Sequence, residues 1–266
     1  MSQDRVSHER LLRDLQDLGL AEGDVVLVHS SLSGLGWVEG GADTVIDVLL
    51  AAVGESGTVL FPALTGSDRD APEHPPVIDL ATTPCWTGAI PETARQRANA
   101  IRSIHPTHSV VAIGRQAEGY AAGHEHSRTP CDAQSPYVRL MDDGGKILLL
   151  GGVTHESNTS LHALEELANV PYHLQDEVTD GIVVMPDGRR IVVRNRLHLW
   201  RNRYLDANLV RNFGKVQAPL EAAGAIDAGP VGASTSLLMG AGAIRDVILP
   251  ILADDPLFLL AEDGRG

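Results

Sequence analysis

The stretch Lys146–Glu166, KILLLGGVTHESNTSLHALEE, constrains the fold more than any other. Ile147 to Leu150 is an aliphatic run too short for a helix and suited to a buried strand. Gly151 and Gly152 end the run and permit a sharp turn. A polar loop, Thr154 to Asn158, follows. Asn158 or Thr159 can then cap a helix carrying Leu161, His162, Leu164 and Glu165. Strand, glycine turn and helix in that order point to an α/β protein. In such folds the loop beyond a strand's carboxyl end is where ligands sit.

The same grammar runs along the chain. Residues 4–19 carry Val6, Leu11, Leu12, Leu15 and Leu18 on one helical stripe, with Gly19 as the stop. Asp24 to His29 reads as a buried strand, Gly41 to Val53 as a helix and Thr58 to Ala63 as a second strand. That succession predicts a crossover with a parallel pair. Leu64 to Trp86, rich in Pro, Asp and Thr, reads as a long surface loop of the kind that binds or covers ligands. Further on, helices are expected at Thr87 to Arg97, Gln116 to Ala122 and Tyr137 to Asp142. Ser109 to Ile113 is expected as a strand. Gly181 to Met185 and Arg190 to Arg194, separated by Pro-Asp-Gly-Arg, predict an antiparallel hairpin. Residues 205–223 read as helical, Gly229 to Leu238 as a strand and Ala241 to Leu252 as the last helix. No repeat or linker interrupts the chain, so one α/β domain over residues 1–266 is expected, with a mixed, mostly parallel sheet and helices on both faces.

Composition narrows the function. With 266 residues the chain is long enough for a proper core. No apolar run approaches the ~18 residues of a membrane span, and the charged N-terminus lacks a signal peptide's apolar centre. Two cysteines, Cys85 and Cys131, are too few for a disulfide framework. A cytoplasmic protein is expected. A formal net charge of −14 serves solubility and also suits a cationic small-molecule partner. Nucleic acid is disfavoured, because no basic stripe is present to neutralise phosphates.

Three segments can carry chemistry. His162 and Glu165, three apart, share one helical face. A carboxylate beside an imidazole fixes its tautomer and raises its basicity, which is the supporting half of a general-base pair. Glu166 lies one position on, roughly 100° away, and is expected to matter little. His29, Ser30 and Ser31 end a strand in hydroxyls and backbone N–H groups that can face an anion or merely cap a turn. Arg102, Ser103, His105, His108 and Ser109 can hold a diphosphate or a 3′-phosphate, or form a solvated loop. The eleven histidines show neither HExxH spacing nor a tight cysteine–histidine pattern, so no metal is expected.

Six motifs, HSSLS, ATTPC…GAIPE, RSIHPTHSVVAIG, TPCDAQSPY, GGKILLLGG and NTSLHALEE, occur in the order seen in aminoglycoside 3-N-acetyltransferases, members of the antibiotic N-acetyltransferase family. The resemblance spans roughly residues 8–250. It implies a three-layer α/β/α fold with no metal. It also implies transfer of an acetyl group from acetyl-CoA to the 3-amino group of a 2-deoxystreptamine ring, a reaction that confers antibiotic resistance. By motif match His162 is the base, Glu165 its partner and His29 a second catalytic candidate. His29, Ser30, Ser31, Arg102, Ser103, Ser109 and Val110 are then expected to line the coenzyme A site. The segment Thr65 to Pro76 departs from the family pattern where the antibiotic should be met. Asp68, Asp70 and Glu73 there, with Asp176 and Glu177 after the active-site helix, are candidates to hold the polycation. The protein is expected to act as a monomer or homodimer. Rival readings are an acetyltransferase for another cationic amine, a metal-dependent hydrolase and a non-catalytic coenzyme A or nucleotide binder.

Overall fold

The computed structural model describes residues 5–199 and 209–262. Its centre is a seven-stranded sheet in the spatial order Asp227–Val231, Ser234–Gly240, Lys146–Leu150, Val25–Ser30, Thr58–Pro62, Val110–Gly114 and Ile101–Arg102. The Val25–Ser30 strand has parallel neighbours on both sides. The other four pairings are antiparallel, so the sheet is mixed but not mostly parallel. The difference lies in the flanks. Asp227–Val231 and Ser234–Gly240 form a hairpin through Gly232, whose φ of 61° suits glycine, where one strand was expected.

Alternate residues of the central strands enter two apolar cores. Leu27, Leu60, Val110, Ala112, Ile147 and Leu149 join one, packed with residues of the Ser160–Leu167 and Ala241–Asp254 helices. Val26, Val28, Val59, Phe61, Val111, Ile113, Leu148 and Leu150 join the other, with the His8–Asp17 and Gly41–Val53 helices. Neighbours along a strand point to opposite faces, and both faces are buried. This is why these strands read as unbroken apolar runs.

Elsewhere the sequence grammar holds with adjustments. The first helix starts at His8, capped by Ser7, after a two-residue strand at Arg5–Val6; residue 4 lies outside the described residues. The expected hairpin forms as Thr179–Val184 against Arg190–Asn195. A third strand, Val77–Asp79, joins it in parallel from inside the long loop read as irregular. The helix expected over residues 205–223 is corrected. Residues 205–208 lie outside the described residues, Leu209–Arg211 is a strand paired with Leu260–Glu262, and only Gln217–Ala222 is α-helical. No helix among the described residues is long and apolar enough to cross a membrane.

Candidate active site

His29 pairs with Leu149, and Ser30 with Leu150, across two parallel strands, so both strands finish at the same edge of the sheet. Ser31 N–H donates to the Leu150 carbonyl at 3.0 Å. Gly151 and Gly152, with φ of 80° and 76°, then turn the chain away. A Cβ on Gly34 would fall 1.8 Å from the Gly151 carbonyl oxygen, so the loop after His29 can pass this turn only as glycine. Asn158 Oδ1 accepts from Ser160 N–H at 3.2 Å and opens the Ser160–Leu167 helix. Asn158 thus supplies a side-chain bond one residue before the Thr159 N-cap, whose own side chain makes no capping bond.

The edge carries a cleft of about 330 Å³, lined in part by His29, Ser30, Trp86, Thr87, Glu156, Asn158, Thr159, His162 and Phe213. That volume is near the low end of the roughly 300–1,000 Å³ typical of ligand pockets. It suits the reacting ends of two ligands whose bodies lie outside.

His162 stands at the base of the helix with its Nδ1 2.8 Å from Glu165 Oε2. Glu165 is fully buried. Its Oε1 accepts from Arg211 Nε at 3.0 Å, and its Oε2 lies 3.0 Å from His173 Nδ1. Burial pushes the Glu165 carboxyl up, but the charges of His173 and Arg211 and the bond to His162 outweigh it and hold the group well below the usual carboxylate range. An ionised Glu165 accepts from His162 Nδ1–H, which leaves the lone pair on Nε2. Burial lowers the His162 pKa to about 4, against the raising effect of Glu165. The ring is therefore neutral at pH 7.

His29 lines the same cleft. Burial, aided by His155 and His162, lowers its pKa to about 3. Its Nε2 and the Ser30 hydroxyl are buried without hydrogen-bond partners, as is Asn158 Nδ2. Three polar groups in one cleft thus lack a partner among the described residues, an arrangement expected where a ligand is to be met.

Other expected site residues lie elsewhere. Ser31 is not among the cleft-lining residues; its hydroxyl contacts Ser33 Oγ and accepts from Gly34 N–H. Arg102, Ser103, Ser109 and Val110 are buried and turned inward. The Arg102 guanidinium donates to Ser109 Oγ and to the carbonyls of Ala63, Leu80 and Thr83. Ser103 Oγ bonds His124 Nδ1 and accepts from Val110 N–H. The side-chain polar atoms of Arg102, Ser103 and Ser109 are thus engaged within the fold. Arg102 does reach a second, shallower depression with Arg95 and Gln96.

The acidic candidates also need revision, since Asp68, Asp70, Glu73, Asp176 and Glu177 do not line the cleft. Asp70 instead accepts from Ser67 N–H and Oγ, and its carbonyl accepts from Gln175 Nε2, which ties the two acidic segments together. Among the described residues the acid that lines the cleft is Glu156, whose Oε1 accepts from Gly214 N–H. Glu166 is corrected too. Its carboxylate is buried, receives Thr129 Oγ1–H and Cys131 N–H, and lies 2.6 Å from His198 Nε2.

Residues unseen by sequence reasoning complete the site. His173 Nδ1 lies 2.7 Å from Arg211 Nη2 as well as 3.0 Å from Glu165 Oε2. One ring nitrogen cannot serve both, so neutral His173 accepts from Arg211 and protonated His173 donates to Glu165. Burial lowers the His173 pKa, but the charge and hydrogen bonds of Glu165 and Glu166 outweigh it and raise it above the usual imidazole value, which favours the form that donates Nδ1–H to Glu165. His198 packs beside both, its ring centroid 4.0 Å from that of His173 and 4.9 Å from that of His162. No local spacing announces these residues; only their number in the composition does.

Comparison with known proteins fits this geometry. Residues 27–253 match the family model described as aminoglycoside 3-N-acetyltransferase. The chain belongs to that family. The family's curated members include aminoglycoside N(3)-acetyltransferase IX of Micromonospora chalcea, 32% identical over 260 residues that cover 90% of each chain. Among solved structures, AAC-IIIb in binary complex with CoASH superposes with a TM-score of 0.79 at 28% identity, covering 94% of this chain and 97% of that one. A mutant of AAC(3)-IVa in complex with a gentamicin gives 0.80 at 29% identity, covering 97% and 93%. This aminoglycoside 3-N-acetyltransferase family member is accordingly an acyltransferase.

Proposed function

We propose that the protein transfers an acetyl group from acetyl-CoA to the 3-amino group of a 2-deoxystreptamine aminoglycoside, with His162 as general base and Glu165 as its orienting partner. The observation that carries this reading is the bond from His162 to a fully buried carboxylate, in a cleft where His29, Ser30 and Asn158 present unpartnered polar atoms. Support comes also from the solved relatives that bind CoASH and gentamicin.

An aminoglycoside amine is largely protonated at neutral pH and has no lone pair with which to attack. His162 Nε2 takes one proton, and the ionised Glu165 steadies the imidazolium. The freed nitrogen attacks the thioester carbonyl, and a tetrahedral oxyanion forms. The Ser30 hydroxyl and Asn158 Nδ2, unpartnered in the cleft, are the donors this reading assigns to it. Collapse breaks the carbon–sulfur bond. The imidazolium protonates the departing thiolate, and the amide nitrogen loses its second proton to solvent. Holding two substrates in one cleft supplies much of the acceleration.

In this reading His29 and Ser30 meet the thioester end of the coenzyme, Ser31 holds the turn beside them through Gly34, and Arg102, Ser103, Ser109 and Val110 shape the wall behind it. Glu156 meets the cation inside the cleft. Asp68, Asp70, Glu73, Asp176 and Glu177 attract it from the rim. The whole chain works as one three-layer α/β/α domain in the cytoplasm, as a monomer or homodimer, a picture supported by the two cores flanking one sheet. The test is thiol release from acetyl-CoA on adding gentamicin, apramycin or a 2-deoxystreptamine-free amine. Release with either antibiotic and not with the simple amine is the expected result. Release with the simple amine alone would move the substrate class.

A further inference from the structure

We infer that His162, His173 and His198 form a site for a divalent transition-metal ion of the zinc class, and that filling it switches the enzyme off. One ligating nitrogen from each ring lies within 4.8 Å of the other two. Zinc–imidazole bonds of about 2.0–2.1 Å place tetrahedral ligands about 3.4 Å apart, so closure needs shifts on the order of 1 Å.

The surroundings favour an ion. Each ring has a nitrogen near a carboxylate: His162 Nδ1 at 2.8 Å and His173 Nδ1 at 3.0 Å from Glu165 Oε2, and His198 Nε2 at 2.6 Å from Glu166 Oε1; the other His173 nitrogen, Nε2, lies 3.8 Å from Glu166 Oε1, beyond hydrogen-bond reach. Carboxylates behind ligating histidines are the usual supporting shell of a zinc centre. His173 Nε2 and His198 Nδ1 are buried with no hydrogen-bond partner. Buried imidazole nitrogens without partners are costly in an empty site and are satisfied by an ion. Two carboxylates, Glu165 and Glu166, face the three rings, with Arg211 on Glu165 among the described residues. A competing trio, Cys131, Glu166 and His198, shares one ligand and would show itself by a sulfur neighbour of the metal.

Inhibition rests on the reading of His162 as the base, because an imidazole bound to zinc cannot also accept a proton from the substrate. Binding does not rest on it. Metal-stripped wild-type protein, loaded with one equivalent of zinc sulfate, is to be studied by zinc X-ray absorption, and affinity measured by titration. The expected spectrum shows three imidazoles and no sulfur. His198→Gln and His173→Gln should each weaken binding at least tenfold, and Glu166→Gln by about 10–100-fold as a supporting-shell change. His126→Gln, at an exposed site beside Glu125, should leave affinity unchanged. Fewer than three imidazoles, a sulfur ligand, or affinity indifferent to His198→Gln overturns the site; the spectrum needs no variant to fold. Confirmed three-imidazole occupancy with undiminished thiol release leaves the site standing and overturns the assignment of His162 as base.

Discussion

Glu165→Gln separates an orienting carboxylate from a merely buried one. In the native protein one oxygen takes Arg211 Nε and the other takes His162 Nδ1. Glutamine offers one carbonyl oxygen and one NH₂. If the oxygen stays with His162, the NH₂ faces the guanidinium, donor against donor. If the amide flips, the NH₂ donates to Nδ1 and forces the ring proton onto Nε2, which removes the lone pair from the cleft. Breaking a buried ion pair costs about 3–5 kcal/mol, and here Glu165 is fully buried while Arg211 is partly exposed, so the lower part of that range is expected. At roughly 2–4 °C per kcal/mol for a chain of this size, Tm should fall by an amount in the lower part of roughly 6–20 °C. The wrong tautomer costs roughly 10⁴-fold in a serine-protease triad. His162 keeps some freedom, since a fifth of its side chain reaches solvent. A loss of roughly 10²–10³-fold in kcat is therefore expected. Thiol release at saturating acetyl-CoA and aminoglycoside, below the variant's Tm, reads the rate, and circular dichroism reads the fold. A folded variant with kcat within threefold of wild type would refute the reasoning. Glu166→Gln is the companion. It loses acceptor capacity for Thr129, Cys131 and His198, so stability should drop by about 1–3 kcal/mol while kcat falls less than tenfold. Equal damage to turnover would mean that the wrong carboxylate had been assigned.

Three further outcomes are expected. His162→Ala should lower kcat by roughly 10²–10⁴-fold with coenzyme A affinity nearly intact, as measured by thiol release and calorimetry. Gly34→Ala should lose roughly 1–3 kcal/mol or more in urea unfolding, because its Cβ would overlap the Gly151 carbonyl oxygen 1.8 Å away. Stability should decline in acid, since burial lowers the pKa of His29 to about 3 and of His124 to about 4. Both rings stay neutral when folded but take protons near 6.5 when unfolded. The unfolded chain thus binds more protons between about pH 6.5 and 4, and each ring contributes up to about 1.4 kcal/mol of loss per pH unit across that window. A urea midpoint unchanged between pH 7 and 5 would contradict this.

The frame was legible where local signals agree with the tertiary fold. Lys146–Leu150, the glycine turn and the His162–Glu165 spacing all belong to one short stretch, and each formed as read. The hairpin at Pro186–Arg189 was legible for the same reason. His173, His198 and Arg211 were not. They come from segments 8–46 residues beyond Glu165 and acquire meaning only when the chain returns to that carboxylate. The Val77–Asp79 strand was hidden because its partner, Thr179–Val184, lies a hundred residues on and its flanks are proline and threonine. Arg102 and Ser109 looked like ligand-binding polar residues, yet they satisfy carbonyls and each other within the fold. Residue type announces a hydrogen-bonding capacity, not the partner that uses it.

The contact between Gly34 and Gly151, with the Ser31–Leu150 bond beside it, also limits how this enzyme can change. The floor of the cleft is stitched into the centre of the sheet, so widening it would unpick two parallel strands at once. The loop between the cleft-lining Leu64 and Trp86 is tied more loosely: Ser67 to Pro75 is held by the Ser67–Asp70 turn, the Ala71–His74 pairing and a side-chain tether from Gln175. Drift toward bulkier or differently decorated antibiotics should therefore accumulate in that loop and spare the residues beneath it.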